Sequence, residues 1–128
     1  MTNIVNVASI YGRIAHIADV SNSGSTVDLN PADVGGAGTT VPAGDVAKLN
    51  AVYVSNTSSG DLTATVTILD DSTPENTFDL INTITVPANA TLDVISKSMY
   101  LPAGYGMTIT ASAATGIDAL VSWEELSE

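Results

Sequence analysis

Two-residue alternation is the feature that most narrows what this chain can fold into. From Leu62 to Ile68, the apolar residues Leu62, Ala64, Val66 and Ile68 alternate with Thr63, Thr65 and Thr67. Successive strand residues point to opposite faces, so this pattern predicts a strand with one face buried and one hydroxyl-bearing face in water. Phe78, Leu80, Ile84 and Val86 repeat it against Thr77, Asp79, Thr83 and Thr85, with Asn82 the polar exception in the inward set. Met107, Ile109, Ala111 and Ala113 alternate with Thr108, Thr110 and Ser112, and Ile117, Ala119, Val121 and Trp123 with Asp118, Leu120, Ser122 and Glu124. The last two runs read as a hairpin around Ala114-Thr115-Gly116. Positions 46–54 read as a central strand, apolar on both faces near Ala51-Val52-Tyr53-Val54, and positions 90–95 as a shorter one.

Turn signals separate these runs. Val41-Pro42-Ala43-Gly44, Val86-Pro87-Ala88-Asn89 and Leu101-Pro102-Ala103-Gly104 share one form. Proline suits the second turn position, and Gly or Asn the fourth position or a left-handed conformation, so each marks a strand corner. No connection is long enough for a crossover helix, so pairing should be antiparallel. The expected fold is all-β, an antiparallel β-sandwich with immunoglobulin-like or jelly-roll connectivity.

The first forty residues are less regular. Val7, Ile10, Tyr11, Ile14 and Ile17 fit helical spacing, Tyr11, Arg13, Ala15 and Ile17 fit strand spacing, and Gly12 weakens the helix. Positions 21–40 are rich in Ser, Gly, Asn and Thr with Val27, Leu29 and Val34 as the apolar anchors, which reads as a long loop or extended arm. The expected division is an N-terminal arm over 1–39 and a β-sandwich domain over 40–128.

Chemistry-bearing groups are scarce. Cysteine is absent, which removes disulfides, thiolate metal sites and thiol catalysis. His16 is the sole histidine and no Gly-x-Ser-x-Gly elbow accompanies it, so neither a Ser-His-Asp arrangement nor a zinc site can be assembled. Asp70, Asp71 and Glu75 share one loop and offer the oxygen ligands that a hard cation such as calcium takes, but EF-hand spacing is absent. A solvated acidic loop with Asp71-Ser72-Thr73-Pro74 as its turn is therefore the expectation, and a bound cation the alternative. Glu124 and Glu125 fall on opposite faces of a strand, which does not suit a glycosidase pair. Asn56-Thr57-Ser58 and Asn89-Ala90-Thr91 match the glycosylation acceptor pattern, but Met1-Thr2-Asn3-Ile4 has no basic start of an export signal. The expectation is a non-enzymatic chain with no catalytic residues, no cofactor and no metal.

Charge sets the choice of partner. Fourteen Asp and Glu face only three cations, Arg13, Lys48 and Lys97, for a formal net charge of -11. Direct binding to nucleic acid or to an anionic membrane is disfavoured, because both draw affinity from Lys and Arg.

The ordered series Thr40-Val41-Pro42-Ala43-Gly44, Ala51-Val52-Tyr53-Val54-Ser55-Asn56, Ile84-Thr85-Val86-Pro87-Ala88, Tyr100-Leu101-Pro102-Ala103-Gly104 and Val121-Ser122-Trp123-Glu124-Glu125-Leu126 resembles small accessory virion proteins of tailed bacteriophages. The resemblance covers about two thirds of the chain, from Thr40 to Leu126. It implies a structural virion protein, first a capsid decoration or cement protein that bridges capsomers, assembled in the host cytoplasm. The partners implied are the major capsid protein or other virion proteins, and a homo-oligomer, with a trimer suited to three-fold sites. A neck or tail structural protein is the alternative within the same class. From a different class comes a host-glycan binding module, with Tyr11, Tyr105 and Trp123 as candidate stacking residues.

Overall fold

A computed structural model describes residues 7–30 and 38–128. The described residues contain no helix and form nine strands: β1 (Ser9–Ile17), β2 (Ser25–Thr26), β3 (Asp45–Asn56), β4 (Leu62–Leu69), β5 (Thr77–Val86), β6 (Thr91–Asp93), β7 (Met99–Pro102), β8 (Gly106–Ala111) and β9 (Ile117–Ser127). They make two antiparallel sheets. The first has the order β1-β9-β3-β6, with β7 also on β3, and the second has the order β2-β8-β4-β5.

The pairings are nested. β1 pairs β9, β2 pairs β8, β3 pairs β6 and β7, and β4 pairs β5, as though one long hairpin had been rolled up. This is jelly-roll connectivity, in which β6 and β7 share the place of one broken strand. Of the two expected topologies, it excludes the immunoglobulin-like one.

The inner faces interdigitate. Leu49, Val52, Val54, Val121 and Trp123 of the first sheet meet Ala64, Val66, Met107 and Ile109 of the second in one buried cluster. Each fully buried Val, Leu or Ile side chain contributes roughly 2 kcal/mol relative to exposure. The inward residues read from alternation in β4, β8 and β9 face this core, with Leu62 only partly buried. β3 is central, between β9 and the β6 and β7 segments, with a register shift between Leu49 and Ala51.

Two expectations are corrected. First, the strands around Ala114-Thr115-Gly116 do not form a hairpin, because β8 lies in the second sheet and β9 in the first. The connection is an arch between sheets, and alternation fixes which face is inward but not which strand is the neighbour. Second, Phe78 opposes Ile68 yet is 68% exposed, since it begins an edge strand. Further along β5, register shifts and the positive φ of Thr83 (47°) break the alternation, leaving Leu80 and Ile81 both partly buried.

Within the span 1–39, the described residues are ordered. β1 pairs continuously with β9 from Ser9↔Ser127 to Ile17↔Ala119, which selects strand over helix, and Ala15 and Ile17 pack against the core. Val20, Val27 and Leu29 are fully buried in the same core as the later strands. Residues 9–30 are therefore part of the sandwich, because their few apolar side chains fill space between the sheets. Val34, with the rest of 31–37 and residues 1–6, lies outside the described residues.

The three Pro-Ala corners adopt one turn geometry. The amides of Asp45, Ala90 and Tyr105 donate to the carbonyls of Pro42, Pro87 and Pro102 at 3.1, 3.1 and 3.2 Å. Proline thus occupies the first turn position rather than the second. The third position carries the positive φ, at Gly44 (84°), Asn89 (58°) and Gly104 (87°), which glycine and asparagine tolerate best. At Gly104 a side chain is excluded twice over, because an added Cβ would sit 2.7 Å from the Asp71 Cβ.

Candidate functional site

The two outer faces differ in chemistry. On the second sheet, Thr26, Thr108 and Thr67 lie side by side in register, as do Thr110 with Thr65 and Thr63 with Thr85. That face presents hydroxyl groups to water. On the first sheet, large apolar and aromatic side chains stand outward: Ile10 (64% exposed) and Ile14 (65%) from β1, Tyr53 (41%) from β3 and Tyr100 (49%) from β7. The partly exposed Leu120 of β9 lies between His16 and Tyr53 in one cross-strand row that ends at Asp93.

A shallow cleft of about 280 Å³ opens along this row, lined by His16, Tyr53, Leu120, Asp118, Ser55 and Thr91. Its polar groups are largely occupied. Thr91 donates its hydroxyl to Ser55 Oγ at 2.9 Å, and Asp118 Oδ1 accepts the Asp19 amide at 2.9 Å. Asp19 Oδ1 in turn accepts the Gly116 amide at 3.1 Å, so Asp118 secures the arch before β9. His16 lies in register with Leu120, and the hydroxyls of Ser55 and Thr91 in the same cleft bond to each other. The face is mixed, because Tyr100 stands in a row with Lys48 and Glu124, and Tyr53 in a row with Asp93.

The Asp70, Asp71 and Glu75 loop organises itself. Asp70 Oδ1 accepts the amides of Ser72 and Asn76, each at 3.0 Å, and the Ser72 hydroxyl. These bonds, led by that of the Ser72 hydroxyl, hold the Asp70 carboxyl well down from its ordinary 3.8, at about 2. No group of three or more His, Asp or Glu among the described residues could hold a metal ion. A carboxylate that binds its proton more weakly when folded stabilises the fold above the unfolded value, and that contribution is lost as pH falls through the folded one. Thermal melts should therefore show wild-type stability dropping between pH 4 and pH 2, with a shallower drop in Asp70→Asn. Parallel profiles would show that the loop bonds do not couple to folding.

The candidate stacking residues do not form a patch. Trp123 is 1% exposed, Tyr105 packs partly against the core, and the Arg13 guanidinium lies 5.0 Å from the centre of the Tyr11 ring. Arg13 also pairs with the buried Glu125 at 3.4 Å, while Glu124 lies in register with Lys48 on the opposite face. Asn56 is buried and hydrogen-bonded, and Asn89 sits exposed in a turn. Sequence reasoning placed Tyr53 and Tyr100 beside apolar strands without resolving their direction. Their exposure, with that of Ile10, Ile14 and Leu120, became legible only from the strand register.

No protein-family model matches this chain, and no curated protein matches it. Solved structures do. A protein of the infectious bursal disease virus T13 particle is similar at TM-score 0.52 and 12% identity, over 95% of this chain and 32% of its own. This chain thus spans about a third of that viral protein's length. Likeness is lower, at TM-score 0.44, to the extra small virus particle of the prawn Macrobrachium rosenbergii, with 12% identity over 94% of this chain and 79% of that one. It is the same, at TM-score 0.44, for the carbohydrate-binding and catalytic modules of a Clostridium thermocellum xylanase, with 14% identity over 91% of this chain and 24% of that one. Of these three, the bursal disease virus protein carries the comparison, and what it shares is the β-sandwich fold.

Proposed function

We propose that this chain is a non-enzymatic structural protein of a virus particle, and more narrowly a decoration or cement subunit on the capsid of a tailed phage. The observation that carries the reading is the outward Tyr53 and Tyr100, with the partly exposed Leu120, on the first sheet of a jelly roll whose other face is hydroxylated. The fold shared with a protein of a viral particle supports it, as does the ordered series of turn and strand motifs. The role requires a face that stays soluble alone and gains by burial against a lattice. A subunit that binds only the assembled shell shifts the equilibrium toward the shell. The net charge of -11 favours solubility and a partner whose contact surface is basic.

Electron microscopy of the virion that carries this chain tests the reading. Density for the jelly roll should repeat on the capsid lattice, with the first sheet turned toward the shell. A position at the neck or tail would reassign it within the virion, and absence from purified particles would end the structural reading. Added to shells stripped of it, Tyr53→Glu/Tyr100→Glu protein should show at least tenfold lower occupancy at matched concentration. Unchanged occupancy would exclude this face as the contact.

A further inference from the structure

Sheet edges expose unpaired backbone donors and acceptors, and proteins blunt them with short strands, bulges, proline or charge. Most edges here are blunted. β2 has two residues, β6 has three, and β7 has four and ends in Pro102. β5 is interrupted by register shifts, by the left-handed Thr83 and by the exposed Asp79. β1 carries fewer of these devices, the inward-pointing Arg13 being the one it has. It runs nine residues in unbroken register, holds no proline, and among the described residues pairs only through its β9 side. In a chain with fourteen acidic residues, Ser9–Ile17 contains none, but holds Arg13 and His16.

We infer that β1 is a strand-addition edge and that its occupant is β1 of a second copy, paired antiparallel about a two-fold axis at Gly12. The choice of a second copy comes from self-complementarity. With Gly12 opposite Gly12, Ile10 of each copy faces Ile14 of the other on the outer face, where both are now exposed. Directly opposed strand side chains are about 5 Å apart, within contact distance for two isoleucines. On the inner side the same register sets Arg13 of one copy against Tyr11 of the other. Tyr11 is already paired with Glu125 across β9, so each guanidinium gains a second ring and approaches a second carboxylate. Nothing projects from the axis itself, since a Cβ on Gly12 would have no atom within 4 Å. Such a contact is isologous and closes at two subunits, in place of the trimer suggested by three-fold sites. It joins two first sheets into one, leaves Tyr53 and Leu120 outward, and stands or falls independently of a virion role.

The test uses purified protein. Sedimentation should give twice the 13.0 kDa monomer mass at high concentration, falling toward the monomer on dilution. Ile10→Lys/Ile14→Lys should be monomeric throughout and melt at the temperature of the diluted wild-type monomer, because both side chains are exposed. Cysteine mapping fixes the register even if that variant is unstable, since the chain has no thiol of its own. Gly12→Cys should oxidise to a disulfide dimer, its Cα atoms falling within the roughly 4.4–6.8 Å a disulfide accepts. Ile10→Cys alone should not, because identical residues then lie four positions apart, about 13 Å. Mixing Ile10→Cys with Ile14→Cys should restore the link. A monomer at every concentration, a trimer, or Ile10→Cys linking as fast as Gly12→Cys would overturn the inference.

Discussion

Trp123→Ala should lower the stability of this protein by about 4 kcal/mol in urea unfolding, near the upper end for a core truncation. Trp123 is the largest fully buried side chain, on the strand between β1 and β3, and it lies beside the fully buried Leu49 in cross-strand register. Removing the indole leaves a void that two hydrogen-bonded sheets cannot close by shifting. Small domains hold about 5–15 kcal/mol in all, so the variant should sit close to unfolding at ordinary temperature. Trp123→Phe separates volume from polarity. The indole Nε1 is buried and has no hydrogen-bond partner among the described residues, so phenylalanine discards that donor while keeping most of the packing. Its cost should be near 1 kcal/mol, and a loss equal to that of alanine would mean that the donor is satisfied after all.

Asn56→Ala should cost about 2–3 kcal/mol by the same measurement. Asn56 ends β3 and is 1% exposed, yet it bonds in three directions. Its Nδ2 donates to the carbonyls of Val86 at 2.9 Å and Gly60 at 2.8 Å, and its Oδ1 accepts the Ser58 amide at 2.9 Å. One side chain thus ties the end of a first-sheet strand to the end of β5 in the second sheet and shapes the turn between β3 and β4. Asn56→Asp preserves shape but turns an acceptor toward two carbonyls, so it should cost at least as much as alanine. A mild Asn56→Asp would show that the amide is not what joins the sheets.

What the sequence disclosed followed from the period of its side chains. The inward residues of β4, β8 and β9 were legible because both sheets bury one face, and Trp123 was placed in the core by its phase with Ile117, Ala119 and Val121. Partners were not legible, because period 2 fixes a face without naming the neighbouring strand. The misread hairpin between β8 and β9 came from that gap. Phe78 was missed for a local reason, since its phase is right but its strand is an edge. Positions 21–40 read as loop or arm from their Ser, Gly, Asn and Thr content, but Val27 and Leu29, with Val20 before them, anchor the described part in the core. Positions 10–17 fit both helix and strand spacing, and β9 selects the strand. The strand spacing of Tyr11, Arg13, Ala15 and Ile17 was the available signal. The outward direction of Ile10, Ile14, Tyr53 and Tyr100 was out of reach, because they come from three strands distant in sequence whose shared face follows only from the registers of β9 and β3.

The nested pairing has a consequence for the order of events during synthesis. β9 separates β1 from β3 in the first sheet, yet it is the last of the nine strands to be translated. Until it emerges, β1 has no partner among the described strands, and the inner face of β3 lacks the neighbour that brings Trp123. β4 and β5 can pair early, being joined by a short turn, but the outermost turn of the roll must bring Ser9 to Ser127. Such distant contacts make folding slow, because loop closure precedes the contacts that reward it. At about 5–20 residues per second, the ribosome presents most of this chain as an unfinished sandwich for several seconds. Sparse cations and abundant carboxylates then keep nascent copies apart, so the acidity protects the chain before it has a surface to solubilise.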